Sequence, residues 1–103
     1  MTRSSFSISA KENSQFVING ELIRQSINGK QDKHFKELTQ NKSQNLDLSG
    51  INKIDTAGLA WLIALFEEAQ KKQIEISYSQ PPLELVKLAK LSGIENLLPI
   101  VNE

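Results

Sequence analysis

The 103-residue chain contains no cysteine, a single histidine and no excess of charge of either sign. Without cysteine there is no disulfide framework, no thiolate nucleophile and none of the usual zinc clusters. His34 has no second ligand three or four residues away, which favours a solvated helix residue over a metal site. Twelve basic and twelve acidic residues are scattered without blocks, so we expect no nucleic acid or anionic lipid as a partner.

Long apolar runs are also missing. The first residues, MTRSSFSISAKEN, lack the apolar core of a signal peptide, and no segment approaches the roughly 20 apolar residues that cross a bilayer. The length is that of one domain, spanning residues 1–103. We therefore expect a single soluble domain in the cytoplasm, with no membrane insertion of its own.

The usual components of an active site are scarce in this sequence. It has no GxGxxG or GK[ST] loop that would cradle the phosphates of a nucleotide. Glu67 and Glu68 are adjacent, so on a helix their side chains point apart and do not form an acid-base pair. We predict that the chain is not an enzyme and carries no metal or cofactor.

Alternating apolar positions predict four strands. FSISA and QFVING are typical of an antiparallel hairpin that turns through KENS. QNLDLSG predicts a third strand that ends at Gly50, after which Ile51 and Ile54 should hold a loop against the core. IEISYS predicts the fourth strand through its alternating Ile74, Ile76 and Tyr78.

Helical patterns lie between and after the last three of these strands. A short helix should carry Phe35 and Leu38 after a turn at Asn28-Gly29, and a long helix should run from about Thr56 to Lys72. This alternation predicts an α/β fold in one domain: a small mixed sheet of about four strands packed with three or so helices.

A third helix should begin after the Pro81-Pro82 pair, since proline fits the first helical turn. Gly93 is placed to end that helix in a left-handed conformation, and IENLLPI should pack the tail onto the core. The buried side of the helix is predicted to consist of Leu85, Leu88, Ala89 and Leu91.

The long helix is apolar on more sides than a single core contact requires. At 100° per residue, one stripe sufficient to cover a sheet contains Leu59, Leu62, Ile63, Phe66 and Ala69. The opposite side contains Ala57, Trp61, Ala64, Leu65 and Glu68. If that side meets water, it forms an apolar patch of the kind that binds a partner, with Trp61 as the anchor. The alternative is that Trp61 lies under the first helix or under the C-terminal tail.

The long helix is entered through the sequence DTAG. Either the carboxylate of Asp55 or the hydroxyl of Thr56 is placed to cap the helix, a hydrogen bond worth about 1 kcal/mol. A hydroxyl at this junction also lies at the positive end of the helix dipole, where a phosphate would be tolerated. Ala57 and Gly58 have no bulky side chain, so a partner could approach the hydroxyl closely.

The segment LDLSGINKIDTAGLAWL resembles the signature of the STAS domain, the fold of anti-sigma factor antagonists, in which a D-[ST]-[SAG]-G motif opens a helix after a strand and loop. The resemblance covers nearly the whole chain, including the closing LAKLSGIENLLPI. It implies that Thr56 takes the place of the regulatory serine of that family. Asp55 would then be the acid before it, and Gly58 the small residue of the motif.

Within that family the likeness is greatest to the small STAS subunit of Mla-type phospholipid-transport ABC complexes of Gram-negative bacteria. The stand-alone length, IDTAGLA, the bulky residue after it and the paired prolines carry this likeness. It implies a non-catalytic cytoplasmic subunit, peripheral to the inner membrane, that binds the ATPase subunit and supports the transporter that maintains outer-membrane lipid asymmetry. The permease and lipid-binding subunits would be indirect partners, and a homodimer could form in isolation.

The interface implied for the ATPase consists of Thr56, Ala57, Trp61 and Leu65. On this hypothesis Trp61→Asp should leave the fold intact and abolish co-purification. The competing hypothesis is an anti-sigma factor antagonist that works as a phosphorylation switch through Thr56. The family's residue at this position is usually serine, and a threonine can instead pack and hydrogen-bond at a fixed interface.

Overall fold

Within the described residues, four strands and four α-helices follow one another in the order β-β-α-α-β-α-β-α. A computed structural model describes residues 5–11, 15–27 and 31–101, and gives only the backbone of residues 31–33. The strands are β1 (Phe6–Lys11), β2 (Gln15–Leu22), β3 (Ser43–Ile54) and β4 (Glu75–Ser79). The helices are α1 (Arg24–Ile27), α2 (Gln31–Leu38), α3 (Thr56–Lys71) and α4 (Leu83–Leu91), followed by a 3-10 turn at Glu95–Leu97. The turns predicted at KENS and at Asn28-Gly29 lie outside the described residues.

The four strands form one mixed sheet in the order β1-β2-β3-β4. β1 pairs antiparallel with β2, whereas the pairs β2/β3 and β3/β4 are parallel because helices separate those strands in sequence. The predicted α/β class and mixed sheet are confirmed. α1 was not predicted, because four residues are too few to show a helical period.

The third strand is longer than predicted. It continues through Gly50 to Ile54, so Ile51 and Ile54 are buried as strand residues and not as part of a loop. A side chain at Gly50 would overlap the side-chain oxygen of Asn19 and lie 2.6 Å from the backbone oxygen of Ile18. The glycine therefore allows close approach of β2 to β3, and it does not end the strand.

The two faces of the sheet differ in character. One face carries Leu46 and Tyr78 into a single core that also contains buried residues of all four helices. On the other face, polar side chains hydrogen-bond across the strands: Gln15 donates to Asn45 (2.7 Å), and Asn45 donates to Ser77 (2.9 Å). The helices therefore pack on the apolar face.

Asp47 is the buried acid of the polar face, and its carboxylate lies 3.1 Å from Lys11 Nζ. Burial raises the pKa of Asp47, but hydrogen bonds from Ser49 and the nearby Lys11 ammonium outweigh that effect, so the pKa lies below its usual value. The carboxylate is thus held in its charged form, joining β1 to β3 across β2.

Helix α4 and the tail cover the far side of the core. Leu85 and Ala89 are buried as predicted, but Leu91 is 86% exposed, because it lies about 120° around the helix from Leu85. Gly93 follows with φ +68°, which confirms the predicted left-handed end. Tail residue Ile100 then forms a parallel bridge with Tyr78, and Leu98 is buried.

None of the helices within the described ranges combines the length and the apolar character needed to span a membrane.

Candidate functional site

Two parallel strands end side by side and bring two chain segments together. Leu22, the last residue of β2, pairs with Ile54, the last residue of β3. The residues that follow, Ile23 and Arg24 on one side and Asp55 on the other, therefore meet at the same edge of the sheet. The DTAG motif lies at this edge, where α3 begins.

Asp55 is the N-cap of α3. Its Oδ1 accepts a hydrogen bond from the backbone N–H of Gly58 at 3.0 Å, and its backbone has the extended conformation of a capping residue. Its Oδ2 accepts from the backbone N–H of Arg24 at 3.1 Å, which is the first residue of α1. Of the two capping groups left open by the sequence, the carboxylate is the one used, and it ties together the first turns of two helices.

Gly58 is required by packing. A Cβ atom at this position would overlap the backbone oxygen of Leu22 and lie 2.8 Å from Ile54 Cγ1. The first turn of α3 therefore rests directly on the ends of β2 and β3, and any side chain at this position would push it away. This close contact explains the glycine of the DTAG motif through the fold itself.

Thr56 is the first residue of α3, and it is exposed. Because Asp55 supplies the cap, the fold makes no use of the Thr56 hydroxyl: within the described part of the chain, no hydrogen bond to it is recorded. The hydroxyl stands at the N-terminus of a helix of 16 residues, where the unpaired amides create a positive potential. It is thus accessible to a partner or to a modifying enzyme.

The predicted exposed patch around Trp61 is wrong. Trp61 is 1% exposed and Leu65 is fully buried, so neither side chain reaches the surface. The ring of Trp61 packs edge-on against Phe6 of β1, with 5.6 Å between ring centroids, and at a tilt against Phe35 of α2, with 5.3 Å between centroids. The alternative, that Trp61 lies under the short helix predicted around Phe35 and Leu38, is confirmed, since that helix is α2. Together, α2 and β1 cover the side of α3 that the helical wheel turned toward water.

His34 belongs to this aromatic cluster and is not the solvated residue that the sequence predicted. Its ring is half-buried, with centroids 5.2 Å from Phe6 and 6.5 Å from Trp61. No group of three or more histidine, cysteine or acidic residues suited to a metal ion occurs within the described ranges. The ring contacts of His34 and Phe35 with Trp61 make the cluster part of the packing between α2 and α3.

The face of α3 that meets solvent is rotated from the predicted one. Thr56, Ala60 and Glu67 are exposed, and Ile63 is half-buried. These residues follow the spacing i, i+4, i+7 and i+11 and form one line along the helix, which we call the outer stripe. Ala57 and Ala64 flank it and are half-buried. Ala60 was missed as a surface residue, although a wheel centred on Thr56 would have found it, whereas Ile63 packs partly against the core, as its place on the predicted sheet-facing stripe required.

Solved structures of similar fold come from anti-sigma factor antagonists. SpoIIAA in its unphosphorylated form aligns with a TM-score of 0.60 and 10% identity, covering 95% of this chain and 89% of that chain. The phosphorylated form of the Bacillus cell fate determinant SpoIIAA aligns with a TM-score of 0.63 and 14% identity, covering 95% of this chain and 92% of that chain. A candidate anti-sigma factor antagonist from Thermotoga maritima aligns with a TM-score of 0.65 and 12% identity, covering 95% of this chain and 86% of that chain. At these identities the likeness concerns the fold.

No match to an individual curated protein sequence was found. The sequence family described as "Mlab, STAS domain" matches residues 8–99, which include every strand and helix of the fold except the first two residues of β1. The sheet order, the helix opened by DTAG and this match agree, and the chain therefore belongs to the STAS domain family.

Proposed function

We propose that this chain is a non-catalytic subunit of an Mla-type phospholipid-transport ABC complex, and that the outer stripe of α3 binds the ATPase subunit. It would act in the cytoplasm, held at the inner membrane through the ATPase, and support the assembly or activity of the transporter. Its physiological contribution would be to outer-membrane lipid asymmetry. The family description as an Mlab, STAS domain supports this assignment.

The observation that carries the proposal is the exposed Thr56 hydroxyl, which the fold leaves without a role. Beside it, Ala60 and the exposed part of the half-buried Ile63 offer an apolar surface, and Glu67 supplies a charge at the far end. From Thr56 to Glu67 the stripe is about 16 Å long at 1.5 Å per residue, a length suited to a groove on a partner. Thr56 would form the polar contact at one end of that interface.

The first experiment is purification of the tagged chain from its native host at endogenous level, with bound proteins identified by mass spectrometry. The proposal expects an ABC ATPase together with its permease and a lipid-binding subunit. Trp61→Asp is no longer a suitable disruption, because a charge at that buried position would unfold the chain.

Ala60→Arg is the sharper disruption, because Ala60 is exposed on the outer stripe. Ala10→Arg provides a matched control, since Ala10 is an exposed residue of β1. We expect Ala60→Arg to abolish recovery of the ATPase and Ala10→Arg to preserve it, with both variants folded by circular dichroism. If Ala60→Arg recovers as much ATPase as the parent, the outer stripe is not the interface.

A second candidate function, an anti-sigma factor antagonist switched by phosphorylation, is supported by the same hydroxyl at the start of α3. A phosphate on Thr56 would lie at the positive end of the helix dipole. The likeness to SpoIIAA, solved in both unphosphorylated and phosphorylated forms, fits this alternative. Mass spectrometry of the chain from native cells tests it: phosphorylated Thr56 and a bound serine/threonine kinase would favour the switch over the transporter.

Thr56→Val separates the two functions further, because valine keeps the branched shape and removes the hydroxyl. In the transporter proposal the variant loses one hydrogen bond at the interface, about 1 kcal/mol or roughly a fivefold weaker affinity for the ATPase. For a phosphorylation switch the same variant abolishes regulation altogether, whereas Thr56→Ser retains it. The two readouts are the dissociation constant for the ATPase and the phosphorylation state of the chain.

A further inference from the structure

A groove lies at the opposite end of the sheet from Thr56, between the beginning of β4 and the C-terminal tail. It has a volume of about 350 Å³ and is lined by the first residues of β3 and β4 and by Pro99–Val101 of the tail. Residues 45–54 of β3 separate it from Asp55, a distance on the order of 35 Å at about 3.3 Å per residue. It is therefore distinct from the outer stripe of α3.

The groove contains a buried side-chain amide that is only partly satisfied. Gln44 is 3% exposed and lines the groove, and its Oε1 is 3.5 Å from Nδ2 of Asn41. Its Nε2 is buried and has no hydrogen-bond partner among the described residues. A buried donor without an acceptor costs about 1–3 kcal/mol, so a ligand oxygen that reached Nε2 would recover that loss on binding.

The backbone of β4 presents further unused groups at this edge. The N–H of Glu75 donates to Lys42 at 2.9 Å, which directs the backbone groups of Glu75 and Ser77 toward β3 and those of Ile76 and Tyr78 outward. Tyr78 is satisfied on its outer side, since its N–H donates to Pro99 and its oxygen accepts from Val101, each at 2.9 Å.

Ile76 is the next outward residue, and the tail does not pair with it. A continued parallel ladder would need the N–H of residue 99 to donate to the oxygen of Ile76, but residue 99 is proline and has no N–H. No backbone hydrogen bond between Ile76 and the tail is recorded among the described residues. Pro99 thus leaves the outward C=O of Ile76 without a donor from the tail, and no partner for the outward N–H of Ile76 is recorded among the described residues.

The charge at the groove limits what can bind there. Glu75 is exposed and is the one charged residue among the described residues that line it. A ligand must therefore offer an acceptor to Gln44 Nε2 without bringing a negative charge close to Glu75. A peptide unit meets both conditions, because its C=O accepts and its N–H donates.

We propose that this groove binds an extended, non-acidic peptide segment of a partner protein, which adds to the edge of β4 beside Ile76 and places an amide oxygen on Gln44 Nε2. The peptide pairs with the outward groups of Ile76 in the way that Pro99 and Val101 already pair with those of Tyr78. A neutral or basic side chain lies next to Glu75. The site would give the protein a second contact, independent of Thr56 and of the function proposed for α3.

Amide hydrogen exchange of the 15N-labelled full chain provides the first test, without a ligand. We expect the amide of Ile76 to exchange at least tenfold faster than those of Ser77 and Tyr78, which are hydrogen-bonded on either side of it. Equal protection of all three amides would mean that this edge is already closed, and the proposal would be overturned.

Binding is tested with four synthetic peptides, each six residues of alternating threonine and valine with one central position changed to asparagine, glutamine, lysine or glutamate. Nuclear magnetic resonance follows the side-chain amide of Gln44 and the backbone amide of Ile76. We expect shifts with the first three peptides and at least tenfold weaker binding of the glutamate peptide. Absence of shifts with all four peptides at millimolar concentration would contradict the proposal.

Three variants test whether the peptides bind in the groove. Gln44→Met removes the donor at similar volume and should weaken binding at least fivefold, whereas Glu75→Lys at the exposed rim should reverse the preference against the glutamate peptide. Glu84→Lys makes the same charge change at an exposed position of α4 and should leave the preference unaltered. Binding that is the same in Glu75→Lys as in Glu84→Lys would show that the peptides bind elsewhere.

Discussion

The carboxylate of Asp55 accepts a hydrogen bond from the backbone N–H of Arg24, 31 positions away in sequence, at 3.1 Å. The other carboxylate oxygen caps α3 through Gly58, so one side chain fixes the starts of α1 and α3 relative to each other. This arrangement leaves the Thr56 hydroxyl without a hydrogen bond among the described residues. The acid of the DTAG motif is thus structural, and the hydroxyl after it is available for function.

Asp55→Ala should lower the free energy of unfolding by about 1–2 kcal/mol, because it removes the cap of α3 and leaves the N–H of Arg24 without its acceptor. Thr56→Ala should change it by less than about 0.5 kcal/mol, since that side chain is exposed. Urea denaturation of both variants measures the difference. Equal losses in the two variants would mean that Thr56 shares the capping role.

Gly58→Ala distinguishes packing from helix propensity by whether it lowers or raises the free energy of unfolding. Propensity alone would stabilise α3 by about 1 kcal/mol, but the added Cβ would overlap the oxygen of Leu22. We expect a net loss of about 1–3 kcal/mol, as for other overpacked sites. The reverse change at an exposed position, Ala60→Gly, should cost about 1 kcal/mol through propensity only. A stabilised Gly58→Ala variant would show that the first turn of α3 can move off β2.

Trp61→Ala should be among the most damaging substitutions, with a loss of about 3–5 kcal/mol from the emptied space between α2, α3 and β1. Trp61→Phe should cost considerably less, because it keeps an aromatic ring and removes an indole N–H that is buried without an acceptor among the described residues. Chemical denaturation of the two variants compares these losses. If Trp61→Ala were as stable as the parent, Trp61 could not be buried as described.

Asp47 should make stability depend on pH in the acid range. Its pKa is lower in the folded chain than its usual value, so its contribution is complete above pH 4 and is lost as the pH falls through the folded pKa. Denaturation curves at pH 7, 5, 4 and 3 should show this decline. Asp47→Asn should be less stable than the parent at pH 7 and lose less stability below pH 4. Parallel declines of parent and variant would assign the acid sensitivity to other groups.

Much of the architecture could be predicted from local patterns. The alternation in FSISA, QFVING and IEISYS corresponds to β1, β2 and β4, and the apolar segment after DTAG corresponds to α3. Gly93 ends its helix in the left-handed conformation as predicted. These signals are local, because strand alternation, capping and turn chemistry depend on residues within a few positions of one another.

The orientation of the candidate site could not be predicted in the same way. The helical wheel turned Trp61 and Leu65 toward solvent, whereas α2 and β1 cover them and leave Thr56, Ala60 and Glu67 outside. The side-chain amide of Gln44, whose Nε2 has no acceptor among the described residues, and the backbone of Ile76, which the tail leaves unpaired, also depend on how the tail packs against β4.

The sequence by itself determined the order of the elements, the capped start of α3 and the position of a hydroxyl in its first turn. Tertiary structure alone decided which side of α3 meets solvent and which edge of the sheet stays open. The physical reason is that periodicity shows which side chains avoid water, but only long-range packing determines which neighbour excludes the water.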